Sequence, residues 1–131
     1  MEAGNYFRAN AHRLHLGIIG LGIKKRDGSD IAITDITDLK EELNLWKGEI
    51  HSTFKIEGIP VEVTTICHPD LDMLSSKITS PLIDAGRLKI KFDFPYPSGN
   101  HMDSGCDWKS PDKNKTTPIT VNENSIIFER R

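Results

Sequence analysis

The residues best equipped for chemistry fall in one stretch, residues 95–118. It carries Tyr96 and Trp108 beside His101, Asp103, Cys106 and Asp107. Tyr96 and Trp108 each offer a flat apolar ring with a polar edge, the combination that settles on a surface both greasy and wet. With His101 and Asp107 supplying hydrogen bonds alongside, the set fits a stacking platform for a sugar ring. The stretch also holds metal-donor types, His101, Asp103, Cys106 and Asp107. Carboxylates mixed with one imidazole and one thiol define no coordination geometry, and no zinc spacing is present, so neither a metal nor a cofactor is expected. His68 and His101 lack the G-x-S-x-G elbow that would arm a serine beside them.

What must position these residues is a long connection between a strand ending near Phe94 and another near Ile119. Pro95, Pro97, Gly99, Gly105, Pro111 and Pro118 make regular structure improbable across most of it. Such a length without structure is uncommon in a compact domain and points to function or disorder. Disordered segments are poor in aromatics, which Tyr96 and Trp108 contradict. Three readings compete: the aromatics pack on their own domain, the loop docks on another domain or reaches a sugar, or it binds a metal.

The rest of the chain alternates. Ile50, Ser52, Phe54 and Ile56 share one face of a strand over Glu49 to Glu57, with charged and polar residues on the other. Gly58-Ile59-Pro60 reads as a tight turn, after which Val61, Val63, Thr65 and Cys67 keep the phase, giving a hairpin. Leu14, Leu16 and Ile18 suit an earlier strand. The glycines Gly17, Gly20 and Gly22 mark a bulge there or a close approach of another segment. Asp27-Gly28 is a hairpin turn with Ile31 and Ile33 on a return strand. Residues 35–45 fit either a helix opening at Asp35 or a strand through Leu43 and Leu45. His68-Pro69-Asp70 is a break, Met73 to Thr79 a weaker strand, and Pro81 to Gly86 a loop. Leu88, Ile90, Phe92 and Phe94 face inward on a further strand, and Ser125 to Glu129 forms the last. Short alternating strands between turn signals predict an all-β, antiparallel β-sandwich occupying 1–131 as one domain.

Composition narrows the partners. The 131 residues carry a net charge of −2, which leaves no electrostatic footprint for nucleic acid or an anionic membrane. The basic run Lys24-Lys25-Arg26 is short enough to be a solvated strand end. No stretch of about 18 apolar residues and no signal-peptide pattern appears, so the chain is expected to be soluble, its compartment undetermined. Two cysteines, Cys67 and Cys106, are too few for a disulfide scaffold, and a reducing compartment with free thiols is the simpler expectation, though a single bridge is open to them.

Longer strings carry a resemblance. The segment from Trp46 to Asp70, Phe94-Pro95-Tyr96-Pro97-Ser98-Gly99 and Cys106-Asp107-Trp108 resemble the N-terminal region of bacterial six-hairpin glycosidase-like proteins. Tyr6 to Asn10 and His12 to Gly17 are similar to it as well. The resemblance implies a β-supersandwich preceding a helical barrel that holds the catalytic carboxylates. On that basis the chain is expected to be a fragment, a non-catalytic accessory domain that packs on a barrel of the parent chain and lends it a loop. No catalytic residue carries over. Glycoside hydrolysis needs two carboxyl groups about 5–10 Å apart. Asp103 and Asp107 are the tempting pair, but a loop without a supporting shell holds such geometry poorly. A stand-alone carbohydrate-binding module and a ligand-free interaction domain are the alternatives. A cut sandwich would bare its strand edges, and a homodimer is expected from that.

Overall fold

A computed structural model describes residues 3–5, 16–98 and 104–131. The chain is all-β with antiparallel sheets, a sandwich-like fold. It divides into two compact units, Gly20–Lys91 and Met1–Ile19 with Phe92–Arg131.

The first unit is built on β2 (Ile36–Asn44), β3 (Glu49–Ile56), β4 (Ile59–Cys67) and β5 (Leu74–Thr79), which form a four-stranded sheet in that order. In register, Ile50, Ser52, Phe54 and Ile56 of β3 oppose Thr65, Val63, Val61 and Ile59 of β4, the hairpin that the alternation predicts. Side chains opposite one another share a face, so the apolar set lands on one side. Ile56 and Val61 are fully buried there. They form the core with Ile23, Leu82 and Leu88, and Ile31, Ile36 and Ile78 pack around them. Ile23 comes from β1 (Ile18–Ile23) and Leu88 from β6 (Leu88–Asp93), which pair as a second, two-stranded sheet. Leu82 comes from α1 (Pro81–Asp84).

Several expectations shift by small amounts, each for a physical reason. The β3–β4 turn is Glu57-Gly58, one residue earlier than expected. Both carry positive φ, 49° and 79°, as a type I′ two-residue loop requires. Ile59 and Pro60 already belong to β4. Residues 36–44 are strand rather than helix. Thr37 faces Lys55 and Lys40 faces Thr53, so Asp38 and Leu39 together span the one position of Phe54, a bulge with Asp38 at φ 52°. The Asp27-Gly28 turn forms, but no return strand follows. Lys24 and Asp30 make a single bridge. The chain then tightens into a 3-10 turn, Ile33–Asp35, closed by Ala32 N donating to Asp35 Oδ2 at 2.7 Å. The loop expected at 81–86 is instead α1. Ser80 caps it, Pro81 opens it, and Gly86 at φ 67° ends it, a start-and-stop pattern that the sequence carries.

Leu88 is buried, yet Ile90 and Phe92 on the same face of β6 are about half exposed, so the inward row is covered only at its beginning. The expected strand around Leu14 lies outside the described residues, save Leu16 and the residues after it.

In the second unit the long connection is not bare. β7 (Tyr96–Pro97) pairs antiparallel with β8 (Cys106–Asp107), a 3-10 turn covers Pro111–Lys113, and β9 (Thr116–Val121) begins before Pro118. β9 pairs with β10 (Ile126–Arg130). Asn122 Oδ1 closes their turn by accepting from the amides of Asn124 at 3.0 Å and Ser125 at 2.9 Å.

Candidate functional site

Two clefts of the second unit hold the candidate residues. The first is aromatic. Phe92 and Phe94 are two apart in sequence and turn the same way. Their rings stack with centroids 6.5 Å apart. Phe128 of β10 meets Phe92 at 5.7 Å and Phe94, edge-on, at 6.3 Å. Arg130 lays its guanidinium 5.3 Å from the Phe94 ring centre and donates from Nη2 to the carbonyl of Pro95. Gly17 is tightly placed against this group. A Cβ there would lie 2.7 Å from Phe94 Cδ1 and 2.9 Å from the Asp93 carbonyl oxygen. That is the close approach expected of one of the early glycines. The three phenylalanines, Asp93, Thr116 and Trp108 line an open cleft of about 480 Å³. Trp108 stays 43% exposed, so part of its ring faces the opening.

The second cleft, about 300 Å³, is polar and is lined by Tyr96, Pro97, Ser98, Cys106, Asp107 and Lys113. Pairing of β7 with β8 sets Tyr96 opposite Asp107. Lys113 bridges them, its Nζ 5.0 Å from the Tyr96 ring centre and 3.7 Å from Asp107 Oδ2. The Ser110 hydroxyl, the Lys109 amide at 2.9 Å and the Lys113 ammonium hold the Asp107 carboxyl below the usual carboxylate range. Asp107 is therefore an ionised anchor that orders its own loop.

Tyr96 and Asp107 are thus brought together, whereas Trp108 lines the aromatic cleft. The reason is local: β8 ends at Asp107 and the chain bends at Trp108, the Lys109 amide turning back to donate to Asp107 Oδ1 at 2.9 Å, so Asp107 and Trp108 part. His101 and Asp103 lie outside the described residues, and the Asp103–Asp107 pair with them. His68 takes a structural part, its Nδ1 accepting from the amides of Asp70 at 3.1 Å and Leu71 at 3.0 Å. Cys67 and Cys106 are free thiols. Among the described residues no three His, Cys, Asp or Glu side chains converge as a metal site, and no helix is long and apolar enough to cross a membrane.

Sequence reasoning missed the convergence of Phe92, Phe94 and Phe128, and the role of Lys113. The alternation marks Phe92, Phe94 and Phe128 as strand residues, but no local signal joins β6 to β10. No family model, curated protein or solved structure matches the chain.

Proposed function

We propose that this chain is a non-catalytic accessory domain of a glycoside hydrolase, and that the Trp108 cleft contacts carbohydrate. A helical barrel of the parent chain is the partner it packs on and the source of the catalytic acids. The observation that carries the reading is the grouping of half-exposed rings, Trp108, Phe92 and Phe128, around one opening. The C–H face of a sugar packs on such rings, and an open cleft lined by them leaves its hydroxyls free to meet polar groups at the rim. The resemblance of the strings from Trp46 to Trp108 supports the same class of protein.

Titration calorimetry of the 131-residue chain against a panel of soluble oligosaccharides tests this. Binding heat that disappears in Trp108→Ala is the expected result. Absence of heat across the panel removes the carbohydrate contact.

A second reading, an interaction domain without a small ligand, is favoured by the β2–β3 turn, where Trp46 is fully exposed next to the exposed Leu45. Two large apolar side chains side by side in water form the kind of patch that marks an interaction site.

A further inference from the structure

The four-stranded sheet is bounded by β2 and β5. Among the described residues no strand pairs with the outer side of β2, and residues 37–43 are all exposed. Such an edge presents unpaired N–H and C=O groups, a template for one more strand. Its side chains decide which strand fits. Residues 39–43 read Leu39-Lys40-Glu41-Glu42-Leu43. Laid antiparallel against a second copy of the same segment and centred on Glu41, Leu39 falls opposite Leu43 and Lys40 opposite Glu42. Two-fold symmetry repeats each pair, so apolar meets apolar and opposite charges meet at every off-axis position.

The exception sits on the axis, where Glu41 faces its own copy. Glu41 is turned back over its own sheet, Oε2 accepting from Ser52 Oγ at 3.0 Å, which draws the two carboxylates apart. The left-handed φ of Asp38, 52°, breaks the extended geometry just before Leu39, because a bulge twists its strand out of line. The contact is therefore short and closed. The opposite edge offers no such match. β5 carries Lys77 as its one charged residue, so self-pairing there brings no opposite charges together.

We propose that β2 is a homodimer edge: two copies of this chain join antiparallel through residues 39–43, in the register centred on Glu41. The sheet then runs on across the dimer. The proposal is independent of the carbohydrate reading.

Sedimentation velocity of the 131-residue chain over a range of concentrations tests it, with far-UV circular dichroism confirming that each variant is folded. Lys40→Glu and Glu42→Lys each set like charges opposite one another twice, and each raises the dimer dissociation constant about ten-fold. The double variant Lys40→Glu/Glu42→Lys restores opposite charges and returns the constant to within about three-fold of the parent value. Glu41→Gln tightens the dimer. As a second readout, Glu41→Cys in a Cys67→Ser/Cys106→Ser background cross-links to its own copy under mild oxidation, because the axis brings the two Cβ atoms to about 5 Å. Lys77→Cys in that background does not. A chain that stays monomeric, a dimer indifferent to both reversals, a double variant that fails to recover, or a mass that climbs without closing each overturns the proposal.

Discussion

Arg87 donates from Nη2 to Glu57 Oε2, joining the residue after α1 and its capping glycine to the tip of the β3–β4 hairpin. The same carboxylate oxygen accepts from the Arg26 amide at 3.1 Å, and Arg87 Nε donates to the Lys24 carbonyl at 2.9 Å. One acidic side chain thus ties the hairpin tip to the turn after β1. Arg87 keeps only 15% of its side chain in solvent, so removing its partner leaves a mostly buried charge less well satisfied. Glu57→Ala is expected to lower unfolding free energy by about 1–3 kcal/mol. Urea denaturation checks it. Arg87→Ala in the Glu57→Ala background should cost less than Arg87→Ala alone.

Gly17 is the backbone's point of contact with the aromatic cleft. Gly17→Ala drives a methyl group into Phe94 and the Asp93 carbonyl, and overpacking of this kind costs about 1–3 kcal/mol. A lowered melting temperature is expected, with a red shift in the emission of Trp108 as the cleft loosens. A Trp46→Phe background isolates that signal. An unchanged emission would separate Gly17 from the cleft.

Ser80 links α1 to the sheet. Its Oγ donates to the Pro60 carbonyl at 2.8 Å and accepts from the Leu82 amide at 3.2 Å. Ser80→Ala loses a helix cap and orphans a carbonyl, for about 1–2 kcal/mol. Leu82 has no exposed surface, and Leu82→Ala should cost more, about 2–5 kcal/mol, because it opens a cavity in the core. Chemical denaturation of both variants ranks the two effects.

Acid should destabilise the fold by a definite route. Asp27 is lowered first by the Ser29 hydroxyl, Asp30 and Asp38 by their lysines Lys24 and Lys55, Asp35 by the Ala32 amide and Asp107 by the Ser110 hydroxyl. Each binds its proton more weakly when folded than when unfolded. The stability they contribute is complete above the ordinary value of 3.8 and is lost as pH falls through their folded values. Melting temperature should therefore fall as pH drops below the ordinary carboxylate range, and Asp35→Asn should flatten that fall. A variant with the parent's acid slope would take Asp35 out of the account.

The β3–β4 hairpin was the most legible part of the chain. Its alternation sets Ile56 and Val61 inside without reference to anything distant, and only the turn moved, from Gly58-Ile59-Pro60 to Glu57-Gly58. The left-handed φ of Glu57 is why: a glutamate gives no signal for it, and strand twist imposes it. The segment 35–45 was illegible alone, since Leu39, Leu43 and Leu45 suit either period. Pairing with β3 decided it by satisfying the backbone on one side and absorbing the extra residue as a bulge.

By itself the sequence determined the sidedness: an apolar residue at every second position commits the chain to sheets with one covered face, and Trp108 and Tyr96 to a polar connection. Tertiary structure alone decided which rings share a cleft. Phe92 and Phe128 lie far apart along the chain and come together only when β10 has paired with β9 and turned its face toward the end of β6. That contact is set by packing between elements, which no local pattern of residues encodes. The parting of Trp108 from Tyr96 was decided in the same way: the strand pair sets Tyr96 opposite Asp107, and the bend after β8 carries Trp108 to the aromatic cleft.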